Sequence, residues 1–254
     1  MSIRPWDGGM RRPVFVTTSW DDGHVLDHKV ADLLETYGLA GTFYVASHNV
    51  EVRPRDRLGN RGTLLLAGRF EIGAHTRLHL RLPTLSLAVA RHEVADGKTD
   101  LEDVVGRAVR SFCYPGGAYL PEHVTLVRDA GFTVARTVRR YSTVASPPLE
   151  MPTTIHAYRH YLDGPTLLRT FAYQLRPAHR AFWNWDVVAV HLFDQVLAAG
   201  GVFHLWGHSW EVDAHNDWDR LERVFAHISR RPGVSYVTNG DLPDVIGGSD
   251  ARTS

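Results

Sequence analysis

The sequence predicts a parallel β/α fold, and three observations lead to that class. Short β-branched or aromatic runs alternate with helix-period segments about seven times along the 254 residues. Glycine and proline stand where helices of that pattern should end and begin. Residues able to do chemistry gather just after the expected strands, the position at which parallel β/α folds build their sites.

The expected strands are 14–19, 41–47, 70–75, 109–114, 132–138, 201–208 and 234–238. Val14-Phe15-Val16 opens the first. Val30, Leu33, Leu34 and Tyr37 follow at i, i+3, i+4 and i+7, so a helix packs outside the sheet, with Gly38 at its left-handed cap. Residues 48–69, rich in Arg, Gly and Pro, break the pattern and predict a long loop. Phe70-Glu-Ile-Gly-Ala74 restores it as the third strand. Pro121 begins a helix that Gly131 terminates. Residues 142–165, with Pro147-Pro148 and Pro152, predict a second long loop over the same rim. Between Arg159 and Trp185 lie Arg169, Arg176, His179, Arg180 and Trp183, which read as an amphipathic helix with a solvated face, a substrate lid being the alternative. In the late strand, period-two alternation puts Val202, His204, Trp206 and His208 on one face, with Phe203, Leu205 and Gly207 on the other. Leu221, Val224, Phe225 and Ile228 repeat the helical stripe of the first helix.

A chain of this length with 44% hydrophobic residues buries a large core, and one catalytic domain is expected over 14–245, with 1–13 and 246–254 as flexible termini. Twenty-eight basic and 28 acidic residues leave a formal net charge of zero, so no global field attracts nucleic acid or an anionic membrane. Cys113 is the sole cysteine, which rules out an intramolecular disulfide. Met1 to Pro13 contain no apolar signal-like run and no stretch reaches the length of a membrane span, so no transmembrane segment and a cytoplasmic location are expected. Oligomeric state leaves no mark on the sequence.

Asp21 and Asp22 follow the first strand, His75 and His79 the third, the turn Cys113-Tyr-Pro-Gly-Gly117 the fourth, and His208 the late strand. One Asp and two His with an open position suit a divalent ion, zinc being the usual occupant; cobalt, nickel and manganese are tolerated by the same donors. The second Asp is then free for acid–base work.

These motifs resemble those of the polysaccharide deacetylases of carbohydrate esterase family 4. Ser19-Trp20-Asp21-Asp22-Gly23 is similar to that family's Thr-Phe-Asp-Asp-Gly, and His75-Thr76-Arg77-Leu78-His79 matches its His-Ser/Thr-x-x-His. The resemblance implies a distorted (β/α) barrel of about seven parallel strands, TIM-barrel-like, and a metal-dependent hydrolase that removes an N-acetyl group from an amino sugar. It implies Asp21 as general base, His208 as general acid, and Asp22, His75 and His79 as metal ligands. Gly116 aligns with the backbone donor of the oxyanion site; Tyr114, Trp206 and Arg136 complete the expected substrate-binding set. Two alternatives come from other classes: a metal-free amidohydrolase on the same scaffold, and an inactive sugar-binding module.

Three departures from the family pattern carry expectations of their own. Cys113 stands where the third motif usually has an Arg that orients the catalytic Asp, and Arg136 on the next strand is positioned to replace it. The Asp/Trp pair of the fourth motif has no counterpart, Trp185-Asp186 lying in a different context. Trp206 replaces a Leu, and a bulkier wall favours a small acyl group. His204 reads as structural, and Glu211 either as a support for His208 or Arg136 or as an ordinary loop acid.

Overall fold

The computed structural model describes residues 12–144, 146–159 and 184–250. Its sheet runs through β1 (Val14–Trp20), β2 (Thr42–Val45), β3 (Glu71–Ala74), β4 (Ser111–Cys113), β5 (Val134–Arg136), β6 (Ile155–His156), β7 (Gly201–Gly207) and β8 (Val234–Tyr236). Neighbours follow the order β5-β4-β3-β2-β1-β7-β6, and the strand pairs are parallel. A further parallel bridge between Arg136 and Met151, just ahead of β6, brings the two ends of that order together. The result is a curled, irregular barrel. The seven expected strands are present, and β6 is an addition too short to leave a periodic signal.

Closure is irregular because of β8. One side of β1 pairs with β7 along its whole length, from Val14↔Gly201 to Trp20↔Gly207. The other side is divided: Val14 to Val16 face β8, whereas Ser19 and Trp20 face β2. The last strand thus wedges between the first two at the N-terminal end of the barrel.

Alternation along these strands sorts side chains into layers. Phe15, Val134, Met151 and Val202 pack with Leu242 as an apolar plug at the bottom. Above them lies a buried polar layer of Thr17, Tyr44, Arg136, His204 and Asn239. Its members satisfy one another: Thr17 Oγ1 meets His204 Nδ1 at 2.6 Å, and Asn239 Nδ2 donates to the Tyr44 hydroxyl at 3.1 Å. Gly73 leaves room for this layer, since a Cβ there would lie 2.4 Å from the Tyr44 ring. The expected faces of β7 hold, with His204 in this interior layer and Phe203 packing outward on Phe193 at 5.5 Å between ring centroids.

The outer layer comprises α1 (Asp27–Tyr37), α2 (Gly59–Ala67), α3 (Leu87–Val105), α4 (Pro121–Asp129), α5 (Trp185–Ala199), α6 (Ser209–Ala214), α7 (Trp218–Ile228) and α8 (Leu242–Asp250). Leu221, Val224, Phe225 and Ile228 are buried as the stripe requires, and Gly38 caps α1 at φ 66°. Helix α2 corrects the expectation of a loop over 48–69. Thr63, Leu66 and Ala67 bury one face of α2, and that tertiary burial outweighs the glycines, whose intrinsic preference argues against a helix. Helix α8 continues to Asp250, past residue 246 at which a flexible terminus is expected. The lid or amphipathic helix expected between 159 and 185 falls almost wholly on 160–183, outside the described residues.

Candidate active site

The C-terminal rim of the barrel brings Asp21, Asp22, His75, His79 and His208 together. Asp21 directly follows β1, and its N–H donates to Gly207 O at 3.0 Å, so the main chain that carries it is tied to β7. Asp22 turns out of the strand at φ 82°, and His79 and Thr76 likewise adopt left-handed conformations at φ 68° and φ 60°. Such φ values are costly for residues with a Cβ and persist where surrounding structure enforces them. Two of these three residues, Asp22 and His79, also contribute atoms to a cluster with His75.

Asp22 Oδ1 lies 3.1 Å from His79 Nε2 and 3.7 Å from His75 Nε2. The approach to His79 is not aligned as a hydrogen bond, so Oδ1 is a buried carboxylate oxygen without a donor. Asp22 Oδ2 accepts from Trp210 Nε1 at 2.9 Å. On the imidazoles, His75 Nδ1 meets Cys113 O at 2.7 Å, and His79 Nδ1 meets Glu51 Oε2 at 2.8 Å. A carbonyl and a carboxylate accept only, so each Nδ1 carries the proton in the neutral ring and each Nε2 presents a lone pair. Two nitrogens and one oxygen converging in this way, each oriented by an outer partner, fit a divalent ion of the zinc type.

The electrostatics separate these groups, and Asp22 and Glu51 raise His79 against its burial. Burial, reinforced by His79, pushes His75 down to about 3, which keeps it neutral. Burial opposes the charge on Asp22, yet His79 and His208 beside it hold its carboxyl well below the usual carboxylate range. Asp21 is treated differently: burial raises it to about 7 against the pull of His208. Its Oδ2 accepts from Cys113 Sγ at 3.3 Å, and its Oδ1 has no partner. For His208 burial works against the charge, but Glu211 and the carboxylates of Asp22 and Asp21 raise it to about 9. His208 Nδ1 meets Glu211 Oε2 at 2.5 Å, leaving Nε2 turned toward the site, 3.8 Å from Asp22 Oδ2.

Two expected residues are elsewhere. Arg136 does not orient Asp21: its guanidinium donates to Asn239 Oδ1, Thr17 Oγ1 and Pro152 O, deeper in the barrel. Alternation on β5 turns Arg136 inward, and these acceptors hold its guanidinium in the polar layer of the barrel. The contact with Asp21 is made instead by the Cys113 thiol. Tyr114 also falls outside the site, because alternation on β4 sends its ring outward to stack on Tyr119 at 4.5 Å, with its hydroxyl donating to Leu149 O and its N–H to Arg136 O. Gly116 occupies the following turn at φ 59°, beneath the Arg81 guanidinium. Trp206 is at the site as expected, its ring edge toward His208 at 5.4 Å and its face stacked on His156 at 3.8 Å.

His156, Glu51 and Trp210 are additions to the expected set, whereas Glu211 supports His208, one of the readings its position offers. Glu211 Oε2 also meets His156 Nε2 at 3.1 Å, so two imidazoles fix one carboxylate. Only Glu211 had a local signal, its position three residues after His208 on a helical turn. Glu51 and His156 reach the site through long-range folding alone.

The loop that carries His75 and His79 is held from outside by α3. At Gly97 of that helix a Cβ would lie 2.8 Å from Arg77 N and from the Thr76 carbonyl carbon. Gly97→Ala gains about 1 kcal/mol of helix propensity but meets backbone that cannot swing aside, an overpacking cost of about 1–3 kcal/mol. We expect a net loss of stability in urea denaturation together with weaker binding of zinc. A more stable variant with unaltered zinc affinity would show that the loop does not depend on this contact.

A family model for polysaccharide deacetylases matches residues 9–135, half of the chain, a span that holds Asp21, Asp22, His75 and His79. No curated protein matches the sequence. Among solved structures, the Streptococcus pyogenes deacetylase PplD, solved with acetate, aligns at 18% identity and a TM-score of 0.50 over 54% of this chain. This chain spans 62% of the length of that protein. A Mycobacterium smegmatis protein described as a polysaccharide deacetylase aligns at 15% identity and a TM-score of 0.70, covering 98% of this chain and 96% of its own. The peptidoglycan deacetylase PdaC of Bacillus subtilis gives 15% identity and a TM-score of 0.59 over 95% of each chain. At such identities the likeness is one of fold, a curled parallel barrel that extends beyond the half of the sequence matched by the model. With that fold, the Asp-Asp pair after β1 and the His pair after β3 in hand, the chain belongs to the polysaccharide deacetylase family.

Proposed function

We propose that this protein is a metal-dependent N-deacetylase of an amino sugar, hydrolysing a carbon–nitrogen bond other than a peptide bond. The observation that carries the reading is the orphaned Asp22 Oδ1 facing the Nε2 atoms of His75 and His79, with Asp21 and His208 beside that point. Asp22, His75 and His79 would hold the ion. A divalent ion bound there would polarise an acyl carbonyl and make a nearby water more acidic.

Asp21 is the base in this reading. It is buried, free on Oδ1 and next in sequence to a ligand, so a water brought to the acyl carbon lies within its reach. His208 supplies the proton that the departing amine requires, because an amide anion is a very poor leaving group. Glu211 holds the His208 ring so that Nε2, not Nδ1, faces the nitrogen. The Gly116 N–H shares the charge that develops on the carbonyl oxygen. Trp206 closes the acyl side and favours acetyl or formyl over longer chains. The substrate we infer is an N-acetylglucosamine-type unit in an oligosaccharide, a glycan precursor or a glycosylated small molecule. Among the described residues no helix is long and apolar enough to cross a membrane.

The test is acetate release from N-acetylated chito-oligosaccharides by protein purified without chelator. Release that stops with EDTA and returns with zinc is the expected result. Release that persists after complete removal of the ion would favour a metal-free amidohydrolase, and none in either condition a sugar-binding module.

A further inference from the structure

Helix α6 ties three parts of the rim together through three consecutive side chains. Ser209 Oγ donates to the buried Asp27 Oδ1 at 2.5 Å and so fixes α6 to α1. Trp210 Nε1 donates to Asp22 Oδ2 at 2.9 Å, and Glu211 meets His208. Of these, Trp210 alone is open, 39% exposed, although its indole is tethered at one edge to a residue of the ligand set. Its ring lies 5.3 Å from the His208 ring, tilted by 31°. An exposed indole held this rigidly offers a large apolar surface that loses little freedom when something covers it.

We propose that Trp210 is a specificity-determining residue of this site. The C–H face of a sugar ring stacks on its exposed indole, and the N–H bond to Asp22 sets the position of that ring relative to Asp22, His75 and His79. The proposal rests on the N-deacetylase reading and selects among its substrates: a cyclic amine carrier with an apolar ring face gains from Trp210, whereas a linear amide does not. The same N–H bond occupies Asp22 Oδ2, which leaves Oδ1 as the oxygen offered to an ion.

The two roles separate by substitution. Kinetics of acetate release from triacetylchitotriose, at saturating zinc, should show KM raised about 3–10-fold in Trp210→Ser with a smaller change in kcat. Trp210→Phe, which keeps a ring but loses the N–H, should recover most of that KM. Zinc affinity, read by competition with a chromogenic chelator, should fall about 10–100-fold in Trp210→Phe, as for other partners that orient ligands. An unchanged KM in Trp210→Ser overturns the platform, and an unchanged zinc affinity in Trp210→Phe overturns the tether. If the wild type releases no acetate at saturating zinc, the deacetylase reading falls and the platform with it. Hydrolysis by a wild type that Trp210→Ser matches leaves the deacetylase reading standing and removes only the platform.

Discussion

Asp21→Asn is expected to lower kcat by about 10²–10⁴-fold, the contribution of a positioned general base. The substitution is close to isosteric, and the main-chain bond from residue 21 to Gly207 O does not involve the side chain. It also removes a buried carboxylate that burial already pushes toward neutrality, so the folded state should not suffer. Metal content should be unaltered, because the converging donors belong to Asp22, His75 and His79. The check is kcat for acetate release alongside zinc stoichiometry by native mass spectrometry. A zinc-loaded Asp21→Asn protein with kcat within about threefold of wild type would remove Asp21 from the mechanism.

His79→Ala should abolish tight metal binding and, with it, turnover. It deletes one of three donor atoms and leaves Asp22 Oδ1 without its nearest neighbour. Glu51→Gln supplies the graded comparison, since it retains the ligand but replaces the carboxylate on His79 Nδ1 by an amide. A cost of about 10–100-fold in zinc affinity is expected there, and a considerably larger one in His79→Ala. Native mass spectrometry and chelator competition measure both. Glu51 is well exposed, so Glu51→Gln should leave the fold intact. Equal zinc affinity in wild type and His79→Ala would disprove the ligand set.

Local pattern made the strands, α1, α7 and the Asp and His motifs legible, because each is written in residues a few positions apart. Period two on β7 was sufficient to send His204 and Trp206 inward with His208. Arg136 shows where that reasoning stops. Alternation correctly points it into the barrel, but the acceptor it finds there, Asn239, lies 103 residues away, and no local rule chooses it over Asp21. Tyr114 fails for the complementary reason, its motif placing it at the turn while the pleat turns its ring away. Helix α2 was hidden because Leu64-Leu65-Leu66-Ala67 is a continuous apolar run without period, and only packing decides which of these are buried. Glu51 lies 28 residues from the His79 that it holds, a pairing no local rule contains.

The wedge of β8 between β1 and β2 bears on the order in which the chain can acquire its structure. The strand that leads into Asp21 and Asp22 has partners at residues 201–207 and 234–236, so most of its hydrogen bonds join distant parts of the chain. Loop closure of that length is entropically expensive and slow compared with the local β2–β3 pairing. During synthesis, β1 therefore emerges first and is completed last. Until residues near 236 arrive, its edges are open to any other strand, a hazard that the buried, apolar Val14-Phe15-Val16 makes acute. Neither the half of the sequence that carries the family signature nor the half that follows it completes its strands without the other.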